Sequence, residues 1–203
     1  MMREGNIFIV SGPSGGGKTT LVERVLQDLN DLRFSVSCTT RKPRAGEVNG
    51  KDYIFVTENE FKKMIDEDKF AEYANVHGHM YGTPLAELES AAKSGVDLLL
   101  DIDVQGARQI RQRFSRGVYC FVLPSSFELL RARLLERGSE NRGEIEKRLS
   151  EAGKEIEDID NYDYIIINDE LDRALESLVS VIISARCRKE KSIGIIKKGY
   201  SSK

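Results

Sequence analysis

Four short runs of this chain are apolar on both of their alternating faces: IFIV from Ile7, VDLLLDID from Val96, VYCFVLP from Val118 and YDYIIIND from Tyr162. Strands covered on both sides of a parallel sheet read this way, because neither face meets water. Between them the period lengthens. Leu21, Val25 and Leu29 recur at spacing four within 19–32, and Val104, Ala107 and Ile110 line one side of 104–114 with charges opposite, as a helix packed on a sheet requires. The alternation predicts an α/β fold wound on both faces of a parallel sheet.

Two stretches break the rhythm. Over 34–83, SVSCTT, DYIFVT and FAEYANV alternate polar with apolar residues, predicting half-exposed strands of a small mixed sheet. Over 125–156 a highly charged helical pair, FELLRARLLERG and GEIEKRLSEAGKEI, hinges at RGSENRG. The expected organisation is a core of 1–33, 84–124 and 157–203, an inserted β unit at 34–83 and a helical flap at 125–156. Helix starts are predicted at Thr57 with Glu60 and at Ser125 with Glu128, both as capping boxes, and at Thr83 with Pro84 in the first turn.

Composition narrows the class. The 203 residues are 40% apolar, enough for one compact core. With 31 Lys and Arg against 33 Asp and Glu the net charge is -2, so no bulk attraction to nucleic acid or an anionic membrane is expected, and any anion site must be local. The three cysteines are widely spaced and form no CxxC pair, which argues against a disulfide framework or zinc site and for a reducing cytoplasm. No apolar run approaches the ~20 residues of a membrane span. His77 and His79 lack a third ligand and predict no metal site.

The chemistry starts at GPSGGGKTT. Gly12, Pro13, Ser14, Gly15, Gly16, Gly17, Lys18 and Thr19 satisfy G-x-x-x-x-G-K-[ST], placed after a buried strand and opening a helix that continues with Thr20. Glycines let backbone N–H groups turn inward around a β-phosphate, and the helix N-terminus adds partial positive charge. Lys18 then reaches the β- and γ-oxygens, and the Thr19 hydroxyl is placed for Mg²⁺. Asp101, ending the second buried run, is the expected carboxylate partner of that ion; a capping role for Asp101 and Asp103 is the alternative.

A nucleotide loop does not name the acceptor. In SVSCTTRKPRAGEVNGKDYIF, Arg41, Arg44 and Tyr53 are spaced to converge on a phosphate dianion, although a solvated charged loop would have the same composition. Together GPSGGGKTT, this segment, FAEYANVHGHMYGT, LLLDIDVQGARQI and YIIINDELD resemble the guanylate kinase family, in order and over nearly the whole chain. TTRKPRAGEVNGKDY is the most specific segment, since other P-loop kinases share the glycine loop but not this one.

The resemblance implies a P-loop core with a parallel five-stranded sheet flanked by helices, a small mixed-β GMP-binding insertion and a helical lid. It implies transfer of the ATP γ-phosphoryl group to GMP, and to dGMP, in guanine nucleotide biosynthesis and salvage, with Mg²⁺. By position Arg41, Arg44, Tyr53 and Tyr81 would hold the GMP phosphate, Ser37, Glu72 and Thr83 would read guanine, and Asp103 would lie on the base or metal side. A carboxylate at Glu72 suits guanine, whose N1–H and 2-amino group present a donor fork that adenine lacks. Arg133, Arg137 and Arg148 become lid arginines, Arg137 and Arg148 assisting transfer beside Lys18 and Arg41, while Asn168 either meets adenine or caps the last helix. Two rivals remain at this point: a non-catalytic guanylate-kinase-like interaction scaffold, and a P-loop kinase with another acceptor.

Overall fold

The computed structural model describes residues 5–76, 78–114, 116–136, 142–190 and positions 193, 196, 199 and 200. Five parallel strands form the main sheet in the order β2-β7-β1-β8-β9: β1 (Ile7–Ser11), β2 (Leu32–Phe34), β7 (Asp97–Asp101), β8 (Val118–Leu123) and β9 (Tyr164–Ile167). In β1 the two-residue period sends Phe8 and Val10 to one face and Ile9 to the other. The first face packs under α1 (Lys18–Asp28) and α7 (Leu171–Arg186), the second under α3 (Leu85–Ser94) and α4 (Val104–Arg113). The double burial expected for the four runs holds for β1, β7 and β8. In β9 only Ile166 is covered, while Ile165 and Ile167 are 54% and 57% exposed, because the strand lies at the sheet edge with α7 on one side.

The main sheet is pinned at its far end by a buried charge. Asp97 accepts from the backbone and side chain of Asn6 at 2.7 and 2.9 Å and from Arg186 Nε at 2.7 Å, so the start of β7 is tied to the segment before β1 and to the end of α7.

The inserted unit is a four-stranded mixed sheet in the order β4-β3-β6-β5: β3 (Cys38–Thr39), β4 (Ile54–Phe55), β5 (Phe70–Val76) and β6 (His79–Pro84). α2 (Glu58–Asp66) opens with the expected reciprocal Thr57–Glu60 capping box and brings Phe61 onto Phe70, ring centroids 4.4 Å apart. The helical pair is α5 (Phe127–Glu136) and α6 (Arg142–Ile156), closed on its own core of Leu130, Leu134, Ile145 and Ala152.

Two predicted helix starts shift. Pro84 is the N-cap of α3 rather than a first-turn residue, and the Thr83 hydroxyl does not cap it, being committed to Glu72 instead. At α5 it is Ser126 that receives the Leu129 N–H at 3.2 Å, whereas the Ser125 N–H donates to Asp169. Beyond Cys187 the described positions 189, 190, 193, 196 and 199 are helical.

Candidate functional site

Strand β1 delivers the glycine loop to the C-terminal edge of the main sheet, where ligands of open α/β sheets collect. Its glycines answer two demands. Gly12 (φ 135°) passes so close to the Val122 carbonyl that a side chain would collide with it, and Gly17 (φ 84°) is the left-handed residue that caps α1. Lys18 begins that helix, and its ammonium donates to the carbonyls of Gly12 and Pro13 at 2.5 and 3.1 Å. Asp101 ends β7 directly opposite Val10 of β1, so its carboxylate stands beside the loop.

A single cleft of about 950 Å³ joins this loop to the inserted sheet and to α6. Gly12, Pro13, Ser14, Gly15, Gly17, Lys18 and Thr19 line it from the loop and the start of α1, Asp101 from the end of β7 and Asp103 from just beyond it, and Ser37, Arg44, Tyr53, Glu72 and Tyr81 from the inserted unit. Arg148 enters from α6 and donates to Ser14 Oγ. Asp103 also accepts the Gly106 N–H at 2.9 Å as N-cap of α4, so capping and cleft lining are both true of it.

Other expected residues stand behind this wall. Gly16 turns inward and donates its N–H to Pro13 O, and Thr20 is exposed on α1. Asn168, buried, neither caps α7 nor reaches the cleft; its Nδ2 donates to Gly16 O at 2.9 Å and braces the loop from below. Arg41 is held in a forked pair with Glu47, 2.7 and 3.0 Å, and by the Tyr81 hydroxyl at 3.1 Å, with its guanidinium 5.3 Å from the Tyr53 ring centroid. Thr83, fully buried, donates its N–H and hydroxyl to Glu72 Oε1 at 2.9 and 2.6 Å. Arg133 donates to the Asp169 carbonyl rather than into the cleft. Arg137 and His77 lie outside the described residues.

The cleft is acidic at its floor. Burial raises the carboxyls of Asp101 and Asp103 above their ordinary range, the nearby Lys18 ammonium opposing in both cases. Burial likewise pushes Glu72 up to about 7, against the Thr83 hydrogen bonds, with the Asp103 charge adding to the rise. Glu155, from the last turn of α6, is also pushed up to about 7 by burial, and its Oε2 is buried without a partner. Sequence reasoning missed Glu155 and its neighbours Glu144 and Lys147 on the cleft face of α6; their spacing with Arg148 places them on one side of a helix, a signal masked by the many charges around them. It also missed Glu47, for which a loop offers no periodicity.

Hard oxygen donors and a P-loop suit a Mg²⁺–nucleotide. Thr19, in the first turn of α1, and Asp101, at the end of β7, face one cleft, and hydroxyl and carboxylate oxygens are donors that ion takes.

Comparison with known proteins agrees over the full length. The family model described as guanylate kinase matches residues 4–185. The chain is 51% identical over 201 residues to a guanylate kinase of Geobacter sulfurreducens, covering 99% of each chain, and 47% identical over 194 residues to one of Neisseria meningitidis, covering 96% and 95%. Among solved structures it superimposes on guanylate kinase from Anaplasma phagocytophilum with a TM-score of 0.81 at 29% identity, over 98% of this chain and 96% of the other.

Proposed function

Because the chain belongs to the guanylate kinase family, we infer that its cleft is where the γ-phosphoryl group of ATP passes to GMP, giving ADP and GDP. The chain is an ATP:GMP phosphotransferase of nucleotide metabolism. The observation that carries the assignment of the site is that the glycine loop and the Glu72 carboxylate open into the same cleft. One end has the chemistry to grip a triphosphate and the other to recognise a base.

In this reading the loop N–H groups and Lys18 hold the β- and γ-phosphates, and Arg148, already anchored on Ser14, brings positive charge from α6 to the same phosphates. Thr19 and Asp101 would hold Mg²⁺, which when bound spreads the charge of the phosphate oxygens. Arg44, Tyr53 and Tyr81 receive the GMP phosphate, and Arg41 joins them through Tyr81. Ser37 and Glu72, the latter oriented by Thr83, read guanine, and Asp103 lies beside them. Residues 34–83 thus serve as the acceptor-binding unit and 125–156 as the lid on the 1–33, 84–124 and 157–203 core.

The acceptor oxygen is already anionic and needs no general base. It bonds to the γ-phosphorus as the bond to the β–γ bridging oxygen breaks, and the electron pair leaves with ADP. Positioning and charge neutralisation supply the acceleration. The reading extends to dGMP, which carries the same base and phosphate, and to a cytoplasmic location, consistent with the free thiols of Cys38, Cys120 and Cys187. Among the described residues no helix is long and apolar enough to cross a membrane.

Phosphoryl transfer from ATP to GMP, dGMP, AMP, UMP and CMP tests the assignment. A strong preference for the two guanine acceptors is expected. Equal rates with all five would remove the base-reading role of Glu72, and no transfer to any would return the scaffold reading.

A further inference from the structure

Helix α4 meets strand β5 along one face. Gln109 exchanges two hydrogen bonds with the Tyr73 backbone, accepting its N–H at 3.2 Å and donating to its carbonyl at 2.7 Å. One turn further, Arg113 donates to Phe70 O at 2.7 Å and to both oxygens of Asp68 at 3.1 Å. The residue of this face nearest the cleft is Gly106. A β-carbon there would stand 2.9 Å from Glu72 Cδ, nearer still to Glu72 Oε2, and 3.4 Å from Asp103 Oδ1.

Glycine is not needed at this position by the backbone, whose φ is not positive. It carries a cost in backbone entropy, because alanine is the better helix former. The explanation left by the geometry is the carboxylate. Thr83 holds only Oε1, and Oε2 is set against the first turn of α4.

We propose that Gly106 is a specificity-determining positioning residue: its missing side chain is what lets the Glu72 carboxylate lie in the orientation that accepts the guanine donors, while Gln109 and Arg113 hold α4 at that separation from β5. A methyl group at 106 turns or displaces the carboxylate, and recognition of the base suffers without any change at the glycine loop. This inference rests on the base-reading role of Glu72, and the test separates the two.

The experiment is a double-mutant cycle of Gly106→Ala and Glu72→Ala, with KM measured for GMP, for inosine monophosphate, which lacks the 2-amino group, and for ATP. Gly106→Ala is expected to raise KM for GMP about tenfold or more, since misplacement of a recognition group by ~1 Å has effects of that order. It should narrow the preference for GMP over inosine monophosphate while KM for ATP stays within about twofold. In the Glu72→Ala background, Gly106→Ala should add nothing. If Glu72→Ala itself leaves GMP recognition unchanged, the base-reading assignment fails and this inference with it. If Glu72→Ala impairs GMP but Gly106→Ala does not, or impairs it equally in both backgrounds, the positioning role is overturned. Should Gly106→Ala alone not fold, the double variant decides: folding there identifies the carboxylate as the obstacle, and failure there refutes the proposal.

Discussion

Glu72 offers the most direct test of the acceptor site, through pH. The residue is 3% exposed, and its carboxyl is pushed up to about 7 from an ordinary 4.5, chiefly by burial. Only the ionised form can accept both guanine donors. Between about pH 8 and pH 6 the ionised fraction falls from roughly nine-tenths to one-tenth, so KM for GMP should rise about tenfold. GMP carries its own phosphate ionisation near ~6, so the wild-type profile alone does not isolate the side chain. Glu72→Gln does: it retains an oxygen for Thr83 and cannot titrate, and the ratio of wild-type to variant KM should bend near pH 7.

Stability gives an independent reading of the same group. The folded protein holds this proton more tightly than the unfolded chain, so the contribution is largest below the unfolded value and is lost as pH rises through about 7. The interval from 4.5 to about 7 corresponds to about 3 kcal/mol as an upper figure. Urea unfolding of the ligand-free protein should therefore show Glu72→Gln gaining on wild type between pH 5 and pH 8. A flat difference across that range, together with a KM ratio that does not bend, would refute the account of Glu72 as a buried, solvent-deprived acceptor.

Lys18→Ala should lower kcat by about 100-fold or more while GMP affinity measured by calorimetry stays near wild type; the opposite division would reverse the donor and acceptor ends of the cleft. Arg41→Lys removes the forked geometry shared with Glu47 and Tyr81, and is expected to raise KM for GMP several-fold, about 1 kcal/mol, with KM for ATP unchanged in steady-state kinetics. Asn168→Ala leaves the buried Gly16 carbonyl without its partner; a loss of about 1–3 kcal/mol in urea unfolding and a weakened ATP affinity are expected. Asp97→Ala strips Asn6 and Arg186 of a fully buried acceptor and should cost about 3–5 kcal/mol with no selective effect on either substrate.

How far the chain could be read depended on whether a residue's role was local. The P-loop was legible because its chemistry lies in consecutive residues at a strand-to-helix junction, and the Thr57–Glu60 box because its partners are three residues apart. β1, β7 and β8 announced themselves by runs that only a doubly covered sheet can bury. β9 carried the same signal, yet half of its apolar residues are exposed, because which strand ends at the edge follows from the order in which strands pair. Asn168 looked like a cap and is a brace. Ser126 took the place of Ser125 because it stands three residues before Leu129, whose N–H it receives, while Ser125 is tied to Asp169.

The sequence by itself determined the α/β class, the glycine loop with Lys18 and Thr19, and, through the resemblance carried by TTRKPRAGEVNGKDY, the guanine acceptor. Those are properties of periodicity and of contiguous motifs. Only the tertiary structure decided that Thr83 serves Glu72 rather than α3, that Glu47 holds Arg41, that Glu155 reaches the floor of the cleft, and that Gly106 stands against the Glu72 carboxylate. Each joins residues that the chain separates by a turn, a strand or a whole domain insertion, and hydrogen bonds, burial and steric room depend on distance in space, which residue order does not encode.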